Sequence, residues 1–384
     1  MKKLAILSTH PIQYYAPVFR LITGRGKISL KVFYTKAPEA TLFDKGFGRK
    51  VEWDIPLLDG YEYEFPPPSQ KLRRTQPVTS HKSLITSYAP DALLVFGWNF
   101  PGHLKLMRHF HGKIPVWFRG DSTLLDEKAG LKTLARRLFL RWVYGHVDKA
   151  FYVGSNNKAY FRAHGLREDQ LVFSPHAIDN ERFVDSPERA YEVRAKAWRT
   201  ELGLSEHDTV ILFAGKLEPK KDPLLLIEAV QGLNAGLSRP LKLVLVGTGV
   251  LENAVREKVS ADKNLRWLGF QNQSQMPVVY RLGDVYCLPS KGPGETWGLA
   301  VNEAMACSRP AIASDRCGCA VDLIRDGETG FSFKANSLSS LQEALKNITA
   351  SNLDKLGRNA LGHIQDWSFS SQVLTFENQL KTKN

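Results

Sequence analysis

The sequence predicts an α/β protein made of two doubly wound domains, and three observations carry that expectation. With 384 residues the chain exceeds what one ordinary core supports, so two domains are the natural division. Short apolar runs alternate with helical patterns, the signature of βα units and a parallel sheet. The same rhythm then restarts after Gly203, as though a second unit began there.

In the first half the apolar runs are Leu4–Leu7, Leu30–Tyr34, Ala92–Phe96, Val116–Phe118 and Lys149–Val153. An irregular stretch from about Thr35 to Ser80 follows the second of them and includes the prolines Pro66–Pro68. Its Trp, Tyr and Phe content points to an ordered, functional loop. In the second half, strands are expected at Val210–Ala214, Leu241–Val246, Val285–Leu288 and Ala311–Ala313, with helices at Asp222–Leu233, Val250–Val259 and Leu299–Ala306. The polar segment Asn180–Arg199 is the connection. Two Rossmann-like domains are therefore expected, residues 1–185 and 186–367, with a C-terminal helix at 368–384 completing the first. Such a pair places a ligand cleft at the carboxyl ends of the strands.

Composition narrows the function. Hydrophobic residues make up 43% and charged residues 24%, an ordinary globular balance. No apolar run is long enough to span a bilayer. The opening run Leu4–Leu7 stops at Ser8-Thr9-His10-Pro11, too short for an export signal, so a soluble cytoplasmic protein is expected. Cys287, Cys307, Cys317 and Cys319 are not expected to form a disulfide framework, and Cys317-Gly318-Cys319, with no second pair at ligand spacing, reads as loop cysteines rather than a metal site. The net charge of +13 sits in residues 1–200, with 32 Lys and Arg against 19 Asp and Glu, whereas residues 201–384 balance at 20 against 20. One half is therefore expected to meet an anionic partner.

The most informative stretch runs from Pro293 to Ala306. Glu295 lies in a Gly- and Pro-rich loop and Glu303 stands eight residues on, about one turn into a helix. Between them, Gly298, Leu299 and Ala300 offer backbone N–H groups at a helix N-terminus, where hydrogen bonds and the helix dipole both favour an anion. A diphosphate fits there, with a carboxylate on either side to accept hydrogen bonds from sugar hydroxyls. The plain alternative is a solvated Glu295 with Glu303 complementing the helix dipole. A second constellation weighs against that alternative: Val210–Ala214 runs into Gly215-Lys216-Leu217-Glu218-Pro219-Lys220-Lys221-Asp222, placing Lys216 and Lys221 at a strand end before a helix.

With these motifs the chain resembles the retaining glycosyltransferases of family 4, whose architecture is the two-domain GT-B fold with a facing cleft. The resemblance rests on Gly215–Lys221, Gly247-Thr248-Gly249, Leu268-Gly269-Phe270, Glu295–Glu303 with Glu303-Ala304-Met305-Ala306, Tyr152–Ser155 and Ser174–Asp179. It implies that Lys216 and Lys221 neutralise the diphosphate of a nucleotide-sugar donor and that Gly298, Leu299 and Ala300 cradle it. Gly215 and Gly247 would line the same site. It also implies that Glu295 holds the transferred sugar and Glu303 the ribose. Lys216 stands where the family usually has Arg, which replaces a bidentate grip by a point charge, and Asp222 stands where it usually has Gly. The absence of any D-x-D triplet fits a reaction that needs no metal or other cofactor, with lysines stabilising the leaving group.

The first half supplies the acceptor-side candidates. The loop Ser8–Pro17 offers His10 and Gln13, and together with Phe47-Gly48-Arg49 and Trp53–Tyr61 it resembles a subgroup associated with bacterial surface polysaccharides. Arg119 and Asp121 follow the strand at Val116. Asp121 either takes part in chemistry or is the N-cap of the next helix, and His10 either faces the cleft or holds its loop. In Leu131–Tyr144, Leu131, Leu134, Ala135, Leu138 and Trp142 share one face, flanked by Lys132, Arg136, Arg137 and Arg141. Packing of that stripe on the sheet is the favoured reading, and an anionic membrane the alternative. Lys71, Arg73 and Arg74 add to the basic surface.

The expected function is retaining transfer of a sugar from a nucleotide-diphosphate donor to a saccharide or lipid-linked acceptor, in bacterial surface polysaccharide or glycolipid synthesis. An anionic membrane surface, on the inner face of the cell membrane, is a further partner. Rival readings are an epimerase-like or inactive sugar-nucleotide binder and a basic nucleic-acid module; no nucleic-acid motif is present, so no nucleic-acid partner is expected.

Overall fold

The computed structural model describes residues 1–36, 43–44, 49–66 and 76–381. The fifteen strands of the described residues are β1 (Lys2–Ser8), β2 (Ile28–Tyr34), β3 (Phe43–Asp44), β4 (Arg49–Lys50), β5 (Glu62–Glu64), β6 (Ala92–Phe96), β7 (Val116–Arg119), β8 (Lys149–Tyr152), β9 (Leu171–Phe173), β10 (Val210–Ala214), β11 (Lys242–Val246), β12 (Leu265–Leu268), β13 (Val285–Leu288), β14 (Ala311–Ser314) and β15 (Gly330–Phe333). The chain divides into two compact units. The first holds Met1–Leu42, Ile55–His176 and Phe369–Asn384, and the second holds Phe43–Asp54 and Ala177–Ser368.

The first unit is built on a seven-stranded sheet in the order β5-β2-β1-β6-β7-β8-β9, parallel at every pairing. Its central strands are apolar and buried on both faces, as a parallel sheet covered by helices requires. Leu7, Phe33, Val95 and Phe118 meet Met107, Leu140, Val143 and Phe161 in one core cluster. The C-terminal helix Phe369–Lys381 packs on the helix Ala16–Gly24, and Arg25 and the buried Glu377 make a 2.6 Å ion pair beside that contact.

The second unit carries a six-stranded parallel sheet in the order β12-β11-β10-β13-β14-β15. Helix Pro223–Asn234 covers it through Leu226, Ile227 and Val230. The chain moves outward from β10 to β12, then returns to the other side of β10 with β13. Strand order therefore reverses between β10 and β13, and the loops after those two strands are brought together at their carboxyl ends. In the first sheet the same reversal falls between β1 and β6. Two parallel-sheet, Rossmann-like units are what the sequence led us to expect.

The long segment after β2 contains more regular structure than expected. It forms β5, which pairs with β2, and ends in a helix at Gln76–Tyr88. Its residues 49–54 lie with the second unit, where Asn272 Nδ2 donates to Glu52 O at 2.8 Å and Ser274 N to Asp54 Oδ1 at 3.0 Å. Phe47, Gly48, Pro67, Pro68, Lys71, Arg73 and Arg74 lie outside the described residues.

One expectation is overturned. In the helix Leu131–Tyr144 the residues that pack inward are Leu140, Val143 and Tyr144, not the stripe from Leu131 to Trp142. Leu131 is 85% exposed, Leu138 61% and Trp142 45%. A helix has two sides that can read as apolar, and here the shorter inner one meets Phe118 and Phe161 of the core.

Candidate functional site

In the second unit the fully buried β10 delivers Gly215-Lys216 to the sheet's carboxyl edge. The following turn is tied down by backbone: Gly215 N donates to Val246 O, Leu217 N to Thr248 O and Lys221 N to Glu218 O, each at 2.9–3.0 Å. Gly247 has φ +133°, and a Cβ there would lie 2.0 Å from the carbonyl oxygen of Gly215. Only glycine allows the β10 and β11 exits to touch in this way. Asp222 adopts φ 50°, ψ 50°, a left-handed conformation that explains why glycine is the usual occupant of its position in the resembling family. Its carboxylate pairs with Lys291 Nζ at 3.1 Å.

The loop after β13 meets this turn. Lys291 N donates to Lys220 O at 2.8 Å, and Lys221 Nζ reaches Glu295 Oε2 at 2.6 Å, with the two side chains 16% and 8% exposed. Ser290 Oγ donates to the same Oε2 at 2.8 Å. The structure thus joins one of the two expected cations to one of the two expected carboxylates. Such a pair loses much of its hydration, and its attraction offsets that loss only with good geometry and further hydrogen bonds, which Ser290 supplies. Lys216 lies on the same turn, half-buried.

From Glu295 the chain passes to the tip of helix Leu299–Ala306. Gly298, at φ +104°, is its N-cap, and no side chain caps the helix end. A Cβ at Gly298 would sit 2.8 Å from Leu288 Cδ2, so the position favours glycine on two grounds. Segment 317–319 pins the loop, Gly318 N donating to Glu295 O and Cys319 N to Trp297 O, both at 3.0 Å. The tip residues Leu299 and Ala300 are half-buried. One turn in, Glu303 is buried and accepts a 2.6 Å hydrogen bond from the Tyr280 hydroxyl, while Trp297 Nε1 donates to Asn302 Oδ1 at 2.9 Å. Tyr280 and Ser290, which hold the two carboxylates, carry no sequence signal of their own.

The arrangement offers a lysine, a carboxylate and an uncapped helix N-terminus around one short loop, the chemistry that binds a phosphate group bonded to a polyol. All four cysteines are buried free thiols, and burial raises the pKa of each, Cys317 to about 12, so none is a ready nucleophile. Among the described residues no group of three or more His, Cys, Asp and Glu side chains is placed to hold a metal.

A second cluster lies in the first unit, where β7 ends at Arg119. That guanidinium is buried and donates from Nη1 to Ser174 O at 2.8 Å and from Nη2 to Pro175 O at 3.0 Å, tying β7 to the segment after β9. Burial lowers its pKa to about 10, against the opposing pull of Tyr15 and Asp121. Tyr15 is raised to about 12 by burial and by Asp121. His176, missed as a candidate, is lowered to about 4 by burial, with Asp121 acting in the opposite sense. Asp121 is followed by extended and turn residues, and the next helix is capped by Gly130, so the N-cap reading of Asp121 is excluded. A cavity of about 220 Å³ takes Asp121, Ser122, Trp98, Asn99 and Arg136 among its walls. His10 Nδ1 lies 2.9 Å from Thr9 Oγ1, and burial together with Lys36 lowers its pKa. Gln13 sits in the turn closed by Tyr15 N and Ala16 N on Ile12 O.

Residues 195–361 match the glycosyl transferases group 1 family. The D-inositol 3-phosphate glycosyltransferase of Corynebacterium glutamicum is 30% identical over 210 residues, 52% of this chain and 48% of its own length. The chain spans about half the length of the curated relatives it matches. Among solved structures, a glycosyltransferase from Rickettsia africae aligns over 100% of both chains with a TM-score of 0.74 at 14% identity. Anabaena HepE in complex with UDP-glucose aligns over 99% of this chain and 98% of its own, with a TM-score of 0.69 at 16% identity. These likenesses establish a shared GT-B fold. Lys216, Lys221, Glu295 and Glu303 all fall within residues 195–361, the stretch similar to the glycosyl transferases group 1 family.

Proposed function

We propose that the chain is a retaining glycosyltransferase of family 4 type, which moves a sugar from a nucleotide-diphosphate donor to a hydroxyl acceptor without a metal or other cofactor. The observation that carries this reading is the convergence of Lys221, Glu295 and the helix tip at Gly298, within the stretch similar to the group 1 family. The UDP-glucose bound to the structurally similar HepE supports a nucleotide-sugar donor.

In this reading the diphosphate lies on the N–H groups of Gly298, Leu299 and Ala300, with Lys216 and Lys221 beside it and Gly215 and Gly247 beneath. Glu295 accepts hydroxyls of the sugar and Glu303 those of the ribose. The bond from the anomeric carbon to the β-phosphate oxygen breaks, leaving an oxocarbenium-like centre. The acceptor oxygen bonds to the same face, and its proton passes to the departing phosphate. Charge that grows on that phosphate meets two lysines and a helix dipole, the kind of preorganised stabilisation that dominates many enzymatic rate enhancements. Before the donor binds, Glu295 neutralises Lys221; the incoming diphosphate replaces part of that partnership. Asp121, His10, Gln13 and Arg119 serve the acceptor side.

The acceptor in this reading is a saccharide or lipid-linked hydroxyl of bacterial surface polysaccharide or glycolipid, and the enzyme works in the cytoplasm at an anionic membrane surface. The test is transfer from UDP-, GDP-, ADP- and dTDP-sugars followed by NMR of the product's anomeric proton, with and without EDTA. Retained configuration and indifference to EDTA are expected. Inversion, or loss of turnover with EDTA, overturns the mechanism; no transfer or hydrolysis of any donor overturns the activity.

A further inference from the structure

Exposed apolar surface is unevenly distributed over the molecule. Among the described residues fourteen large hydrophobic side chains are well exposed, and five of them, Leu131, Leu134, Leu138, Phe139 and Trp142, belong to the single helix Leu131–Tyr144. Isolated exposed hydrophobics are ordinary, but a contiguous group on one helix marks an interaction surface.

The geometry of that helix is specific. At 100° per residue, these five side chains and Ala135 fill an outward arc of roughly 140°. Lys132 and Arg136 border the arc on one side, and Arg137 and Arg141 on the other. Leu140, Val143 and Tyr144 lie opposite and anchor the helix to the core. The fourteen residues contain four cations and no Asp or Glu. Trp142 is held from behind, with Arg108 5.2 Å from its ring centroid and Phe139 at 5.7 Å on the same face. The helix is about 21 Å long. An apolar ridge between two rows of cations is complementary to a bilayer with negative headgroups, where acyl chains take the ridge, phosphates take the rows, and Trp sits at the boundary.

The inner side of the same helix adds a second link. Arg136 Nη2 donates to Tyr160 OH at 3.2 Å, and Arg136, Tyr144 and Tyr160 all help to line the cavity that contains Asp121. Trp98 of that cavity packs edge-on against Phe139 at 5.5 Å.

We infer that the outer face of helix Leu131–Tyr144 is a docking surface for an anionic lipid bilayer, inserting Leu131, Leu134, Leu138, Phe139 and Trp142 below a plane of phosphates bound by Lys132 and Arg141, while Arg137 is held by Glu127 at 3.1 Å. It gives a structural basis to the membrane placement proposed above and rests on it. Docked this way, the helix sets the Asp121 cavity beside the headgroup layer, so an acceptor carried by a lipid reaches it without leaving the membrane.

Cosedimentation of the full chain with vesicles of phosphatidylcholine alone, and with a quarter phosphatidylglycerol, tests this. Partitioning is expected to be at least tenfold stronger on the anionic vesicles and to fall as salt is raised. Leu134→Gln with Leu138→Gln is expected to lower it at least tenfold, and Lys132→Gln with Arg141→Gln about fivefold per charge. Both double variants are to melt like the parent and keep their nucleotide-sugar-induced thermal shift, which separates this result from failure of the donor site. Undiminished vesicle binding by the leucine variant, or equal partitioning on neutral vesicles, overturns the inference. So does concentration-dependent self-association that the leucine variant abolishes without any vesicle binding, because a second copy would then be the occupant.

Discussion

The cluster around Lys221 and the cluster around Arg119 both sit at the carboxyl edge of a parallel sheet, yet they are assembled in opposite ways. The first comes from two short contiguous stretches, Gly215–Asp222 and Ser290–Glu303, which the reversal between β10 and β13 brings into contact. The second is gathered from Tyr15, Arg119, Asp121 and His176, residues more than a hundred positions apart at its extremes. One is held by direct ion pairing and a serine, the other by an arginine that satisfies two backbone carbonyls. A site that grips a constant group can be written locally. In the reading proposed above the second cluster serves the acceptor, and binding residues spread over several loops of one scaffold suit that role.

Substitutions should separate the two. Lys221→Ala and Glu295→Ala are each expected to reduce turnover by on the order of 10² or more, measured at saturating donor. Because their side chains meet at 2.6 Å, the double variant should lose far less than the product of the two. Multiplicative losses would show that the pair does not act as a unit.

Acid should act on the first unit before the second. Burial holds His103 and His176 near pKa 4, below the 6.5 of the unfolded chain. Between those values the unfolded chain binds protons that the folded one refuses, so the stabilisation present above about pH 6.5 is lost as pH falls towards 4. A loss on the order of 1 kcal/mol per histidine by pH 5 is expected in denaturant melts, and His103→Asn should flatten the profile. A flat profile in the parent would contradict the burial account.

Smaller effects divide by substrate. Glu303→Gln should raise the donor KM on the order of tenfold, as the loss of a charged hydrogen-bond acceptor does, and leave the acceptor KM alone. Asp121→Asn should do the reverse, and a shift in donor KM there would undo the division between the units. Lys216→Arg, which supplies a forked donor for a point charge, should change turnover by less than about threefold.

The same contrast governs what could be read in the sequence. Every interior strand of both sheets shows as a largely apolar run, because a strand covered on both faces buries most of its side chains. The unrecognised members, β5, β9, β12 and β15, are the four sheet edges. Glu62–Glu64 and Leu171–Phe173 are short and half-exposed, so they carry neither a continuous run nor a clean alternation. Lys216, Lys221, Glu295, Gly298 and Glu303 were legible through spacing, whereas Tyr280 and Ser290 act only through the fold. His176 sat in a stretch singled out for its resemblance, but nothing in that stretch signals proximity to Asp121. The outward turn of Leu131–Trp142 could not be seen either, since periodicity shows that a face is apolar and not which way it points.

The central claim is that Lys221, Glu295 and the Gly298 helix tip form a nucleotide-diphosphate-sugar site. Titration calorimetry of the parent and of Lys221→Ala against UDP-, GDP-, ADP- and dTDP-sugars tests it most directly. The account predicts that at least one of the four binds the parent and that Lys221→Ala weakens that binding by tenfold or more. Binding of none, or equal binding by the variant, would contradict it.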